Sequence, residues 1–158
     1  MKNRYILFLI SACLILLVTG CAKQDNKPIM KPLKSIPIDL AKSVDFSNYA
    51  LQSENKELGR TKIVTEKNDM ETIVSYIKTI NCTESNGKIK DADYEIRLKD
   101  DMGSYIYSIG VSKNQIYVYE GGISSTTLVY DYNDTKVIKE LARVYKEMDY
   151  SEEFIYRK

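Results

Sequence analysis

Histidine and tryptophan are absent from the 158 residues, and cysteine and proline occur only three times each. The lack of histidine removes both the commonest general base at neutral pH and the commonest transition-metal ligand. A zinc or iron centre is therefore not expected, nor is any cofactor. Charge of one sign is lacking too, with 23 Lys and Arg against 22 Asp and Glu. Nucleic-acid binding draws most of its affinity from Lys and Arg neutralising phosphates, so this balance argues against it. The one long apolar run, Tyr5 to Val18 broken only by Ser11, is shorter than the ~20 residues that cross a bilayer.

That run follows Lys2 and Arg4 and ends in small residues before a cysteine, with polar Lys23 to Asn26 directly after. This is the layout of a secretory signal, cleaved from the finished protein. Val18-Thr19-Gly20-Cys21 resembles the lipobox of bacterial lipoproteins. The resemblance implies diacylglyceryl transfer to the Cys21 sulfur, cleavage after Gly20 and fatty acylation (palmitate) of the new amino terminus. Two or three acyl chains hold a protein on a membrane where one does not. The expected address is the extracytoplasmic face of the cell membrane. Losing Lys2 and Arg4 leaves 21 basic residues against 22 acidic ones, a net charge of −1, so anchoring must come from lipid rather than charge. Cys13 leaves with the signal and Cys21 is lipidated, which leaves Cys82 alone. It cannot form an intrachain disulfide, thiolate clusters are excluded, and its position after helical apolar spacing suggests a buried, inert thiol.

Residues 1–20 thus read as signal peptide and 21–40 as the lipidated cysteine with a lysine-rich tether. Pro28, Pro32 and Pro37 make that tether extended and semi-stiff, enough to hold a domain a few tens of ångströms off the lipid. Ile36, Ile38 and Leu40 suggest that its end docks on the domain. Residues 41–158 form a single domain of ordinary size. Val44, Phe46, Tyr49 and Leu51, a polar turn, then Lys62 to Thr65 predict a hairpin with an irregular first arm. Asn68-Asp69-Met70-Glu71, an N-cap residue with glutamate three places on, opens a helix to about Asn81 with Met70, Ile73, Val74, Ile77 and Ile80 on one face. Glu84 to Lys90 reads as a loop. Four strands with period-two alternation follow: Tyr94/Ile96/Leu98, Tyr105/Tyr107/Ile109/Val111, Ile116/Val118 and Leu128/Tyr130/Tyr132. Turns at Asp100 to Gly103, Ser112 to Asn114 and Gly121-Gly122 divide them. A closing helix starts near Asn133-Asp134 with Val137, Ile138, Leu141, Val144, Tyr145 and Met148 in one stripe, and Asp149 to Lys158 adds a last packed turn. The predicted class is α+β: an antiparallel sheet in the order ββα-ββββ-α with helices packed on one face. This order, with Thr65 to Ile73 leading into the first helix, resembles small lipoproteins of low-GC Gram-positive bacteria that carry an uncharacterised α+β domain. The resemblance implies no activity or site.

Motifs for catalysis are thin. Ser75-Tyr76-Ile77-Lys78 fits the S-x-x-K spacing of penicillin-recognising enzymes, but Ser53 to Lys56 and Ser85 to Lys88 fit it equally and no Ser-Asp-Asn or Lys-Thr-Gly follows. A solvated helix face explains it better. Asp131 to Asp134 and Asp91 to Asp93 cluster carboxylates as calcium loops do, yet Ala142 stands where an EF-hand needs glutamate, so no metal is expected and Asp134 reads as a helix cap. Glu120-Gly121-Gly122 joins strands rather than opening a helix, as a phosphate loop would.

Thirteen tyrosines against three phenylalanines are the remaining signal. If Tyr94, Ile96, Leu98, Tyr107, Ile109 and Leu128 face the helices, the opposite face shows Glu95, Arg97, Lys99, Ile106, Ser108, Tyr117, Tyr119 and Val129. Tyr117, Tyr119, Ile106, Val129 and Arg97 then have the composition of a protein-interaction surface, although tyrosine also suits half-buried sheet positions for purely structural reasons. The reading is a non-enzymatic, lipid-anchored module that binds an envelope component, a protein partner for instance. The alternatives are a small cell-envelope hydrolase using Asp91, Asp93, Asp100 or Asp131, and a small-ligand binding lipoprotein.

Overall fold

A computed structural model describes residues 27–51, 57–120 and 127–156. The signal segment and the lipobox lie outside the described residues, as do the Gly121-Gly122 turn and the 52–56 connection.

The strands are β1 (Ser43–Asn48), β2 (Glu57–Val64), β3 (Thr83–Glu84), β4 (Tyr94–Lys99), β5 (Tyr105–Ser112), β6 (Gln115–Glu120), β7 (Thr127–Asp131) and β8 (Glu152–Tyr156), with helices α1 (Lys67–Ile77) and α2 (Val137–Glu147). All eight strands join one antiparallel sheet in the spatial order β3-β7-β6-β5-β4-β1-β2-β8. The class is α+β, as the alternation and the helical stripes predicted. β4 to β7 form the expected meander, and the tight Lys113-Asn114 turn falls between β5 and β6.

Register explains the core. Phe46, Ile96, Ile109 and Val118 lie opposite one another across four strands. Each is at most 2% exposed, and full burial of such a side chain contributes about 1.5–3 kcal/mol. Asn48, Tyr94, Val111, Ile116 and Tyr130 make a parallel row. Met70, Ile73, Val74 and Ile77 of α1 and Val137, Leu141, Val144 and Tyr145 of α2 join the same core cluster, at the three-and-four spacing of one helix face. Tyr145 meets Phe46 edge-on at 5.2 Å, which seats α2 over the Phe46 side of the sheet. Lys62, 6% exposed, shares that side. Its ammonium donates to the carbonyls of Tyr145 (2.9 Å) and Met148 (2.5 Å), closing the C-terminal end of α2 where carbonyls lack helical partners.

Several expectations are corrected. The β1–β2 pairing is regular from Val44↔Val64 to Asn48↔Arg60; the irregularity sits in the second arm, between Glu57 and Gly59 where β2 meets β8. Gly59 is needed there, since a Cβ would lie 2.4 Å from the Asn48 carbonyl oxygen. α1 begins before Asn68 and has no side-chain cap. Instead Tyr150, from beyond α2, accepts from the Glu66 amide at 3.1 Å and donates to Asp69 at 2.8 Å. α2 begins at Val137, with the Asp134 carboxylate accepting from the Lys136 amide. Glu84, expected in a loop, pairs with β7 together with Thr83, and the C-terminal segment forms β8 rather than a packed turn. The segment from Lys27 is laid on the domain: Met30 and Cys82 exchange both backbone hydrogen bonds at 2.8 and 2.9 Å, and Leu33 and Ile36 are buried. Ile38 is half-buried, while Leu40 is exposed. Cys82 is free and buried, as expected, and burial pushes its thiol up to about 11.

Candidate interaction surface

On the sheet side opposite Phe46 and Ile96, alternation brings polar and tyrosine side chains into register. Arg97 lies opposite Ser108, which lies opposite Tyr119. Glu95, Gly110, Tyr117 and Val129 form the next row. Arg97, Tyr117, Tyr119 and Val129 are therefore brought together as expected. Tyr119 is exposed, and Tyr117, Val129 and Arg97 are half-buried. The Tyr117 ring lies over Gly110 so closely that a Cβ on that glycine would sit 1.9 Å from the ring. Glycine inside a strand marks just such an approach. Burial, then the neighbouring Glu95 carboxylate, pushes the Tyr117 hydroxyl up to about 12.

Ile106 does not join this group. The β4–β5 register slips between Leu98↔Tyr107 and Lys99↔Tyr105, so Ile106 falls in a bulge, and it is half-buried against the core. The same slip sets Tyr105 opposite Lys99, and its ring lies 4.9 Å from the Arg97 guanidinium and 5.2 Å from the Lys99 ammonium. Sequence reading missed Tyr105, because strict alternation assigns it to the other face. Leu128 also departs from expectation: register places it opposite Val118, on the core side, yet it is 45% exposed.

Beneath the tyrosines runs a layer of paired polar groups. The Glu95 carboxylate accepts from the hydroxyls of Tyr49 (2.6 Å) and Ser108 (3.2 Å), with Arg97 Nε at 3.7 Å. Burial first, and Glu95 second, raise the Tyr49 hydroxyl well above the ordinary phenol range. Asp45, only 5% exposed, is held by the Lys99 ammonium at 2.7 Å and the Tyr105 hydroxyl at 3.3 Å. Ser47 donates to Thr61 at 3.0 Å. Among the described residues Asp45 Oδ1 and Arg97 Nε have no hydrogen-bond partner.

At one end of this face a cleft of about 580 Å³ is lined by Tyr49, Leu58, Ile89, Asp91, Asp93, Glu95 and Tyr117, among others. Two of the four carboxylates singled out from sequence thus share a cleft. Asp100 lies beyond the other end of β4, where it accepts from the amides of Met102 and Ser104 and shapes the turn. Asp131 stands opposite Thr83 and Gln115. No group of three His, Cys, Asp or Glu among the described residues is placed to hold a metal ion. Ser75 is exposed, on the side of α1 away from its buried stripe. No helix among the described residues is long and apolar enough to cross a membrane. No family model matches this chain, and neither a curated protein nor a solved structure matches it.

Proposed function

We propose that this chain is a non-enzymatic binding module, anchored through lipid on Cys21 at the extracytoplasmic face of the cell membrane, which captures a protein of the envelope. In this reading both helices close the side of the sheet that carries Phe46 and Ile96, and the partner lies on the other side, over Arg97, Tyr105, Tyr117, Tyr119 and Val129. The observation that carries it is the composition of that side. Exposed Tyr119 and Tyr105 stand beside a half-buried Arg97, over a layer whose carboxylates are already engaged. Tyrosine and arginine held rigidly by their surroundings supply large contact area at low entropic cost. The lipobox supports the address.

A photoreactive phenylalanine at Tyr119 in living cells tests the reading, with the same group at exposed Lys139 on α2 as control. One saturable crosslinked envelope protein at position 119 but not at 139 is the expected result. Equal labelling at both positions, or none, would overturn the assignment of the face. The cleft holding Asp91, Asp93 and Glu95 favours a second reading, in which the ligand is a small cell-wall fragment that is bound or hydrolysed there. That version requires Asp91→Asn with Asp93→Asn to abolish binding or turnover of the fragment by the purified protein.

A further inference from the structure

We propose that the cavity between the β5–β6 turn and the first turn of α2 binds a short peptide with free termini, its carboxylate between Lys113 and Lys139 and its ammonium at Asp93. The cavity measures about 680 Å³, within the usual range of small-ligand sites. Its floor is the buried ring of Tyr132. That ring is fixed at both ends, because the Tyr132 amide donates to the Asn114 carbonyl at 3.1 Å and the hydroxyl donates to the Ser112 carbonyl. Half-buried Ile138 adds an apolar wall from α2. A base already held in place costs a ligand little to use.

Three charged side chains line the same space: Lys113 from the turn, Lys139 from the helix and Asp93 from just before β4. Among the described residues none of the three enters an ion pair. Asp93 is pinned through its backbone, whose amide donates to the Val111 carbonyl and whose carbonyl accepts from the Tyr49 amide, both at 2.9 Å. Its carboxylate lies toward the ring: after burial, it is the largest influence raising the Tyr132 hydroxyl above the ordinary phenol range. Asn114 contributes as well. Its side-chain oxygen accepts from the Lys90 ammonium at 2.8 Å, which leaves its amide N–H groups as donors for a ligand oxygen. This set of charges selects the ligand class. A simple anion would also meet Asp93, and a simple cation would meet two lysines. A molecule carrying one carboxylate and one ammonium satisfies both signs, and apolar side chains of a peptide of about two or three residues fill the remaining volume over Tyr132 and Ile138. Asp93 also lines the cleft that holds Asp91, but Lys113 and Lys139 line this cavity alone of the two. The site does not use the proposed partner face.

Isothermal titration calorimetry of the full chain in detergent with leucyl-leucine tests it. The free dipeptide should bind one to one, and its C-terminal amide and its N-acetyl derivative should each bind about tenfold or more weakly. Lys113→Gln with Lys139→Gln should weaken the free dipeptide to the same degree and no longer distinguish it from the amide. Asp93→Asn should instead lose the distinction between free and N-acetylated forms. Each variant should keep the other discrimination, which shows that it folds. No saturable binding up to about 5 mM dipeptide, equal affinity for free and blocked forms, or a lysine variant that discriminates as the wild type does would overturn the proposal.

Discussion

The two sides of the sheet are buried by different means. On one, Val44, Phe46, Ile96, Leu98 and Ile109 are fully buried among apolar neighbours, helix side chains included. On the other, Asp45, Ser47 and Ser108 reach 5%, 0% and 7% exposure beneath Lys99, Tyr105, Tyr49 and Glu95, through hydrogen bonds and an ion pair. Removing apolar volume forfeits transfer energy and leaves a cavity. Trimming an exposed ring above a polar layer does neither. The first side should therefore set stability, while the second is free to change at little cost to the fold.

The sharpest way to break this contrast is Phe46→Ala, which removes a ring packed on Tyr145 and on Tyr94 at 6.0 Å. It should cost about 3–5 kcal/mol in denaturant unfolding, and a loss below ~1 kcal/mol would show that the core is not centred there. Lys62→Met comes next. It keeps the apolar stem but strips the carbonyls of Tyr145 and Met148 of a buried donor, at a cost of about 1–3 kcal/mol. A neutral or stabilising result would mean water serves that helix end equally well.

Alkaline pH probes both sides together. Burial pushes Tyr107, on the core side, and Tyr117, on the other, up to about 12, from the ordinary 10.0, and Cys82 up to about 11 from 9.0. The unfolded chain therefore loses these protons first as pH rises. The stabilisation from keeping the groups neutral is complete below about pH 9 and drains away through pH 11–12. Melting midpoints across pH 8–12, followed with phenolate absorbance, should show the fall, and Cys82 should resist thiol reagents until the chain unfolds. The smallest effect belongs to Tyr119→Ser, within about 0.5 kcal/mol of wild type although partner capture is lost. A large drop in stability would move that ring into the fold's essential packing.

What could be read from the sequence follows the same division. Strands with one dry face announce themselves by alternation, so β4 to β7 and the stripe of each helix were legible. β3 is too short to have a period, and β8 carries exposed Glu152, Glu153, Phe154 and Tyr156, so neither offers a dry face to detect. The start of α1 was misplaced because Tyr150, distant in sequence from Glu66, does the work of a local cap. On the other side, Tyr117 and Tyr119 could be placed by parity alone, but Tyr105 could not, since one slipped residue at the bulge reverses it. The Tyr49–Glu95–Ser108 contacts join β4, β5 and the turn that follows β1, a proximity that spacing along the chain does not encode. Gly110 was the one local hint, a residue without a side chain in a strand where a ring needs the room.

If Cys21 carries the proposed lipid, the Met30–Cys82 bridge has a mechanical consequence. Only six peptide links separate that sulfur's residue from Lys27, a leash of at most about 20 Å. With its other end stitched to the strand beside Cys82, the domain would be moored close to the bilayer, with little freedom to tumble. A partner would then have to arrive laterally, within the narrow shell just above the lipid headgroups.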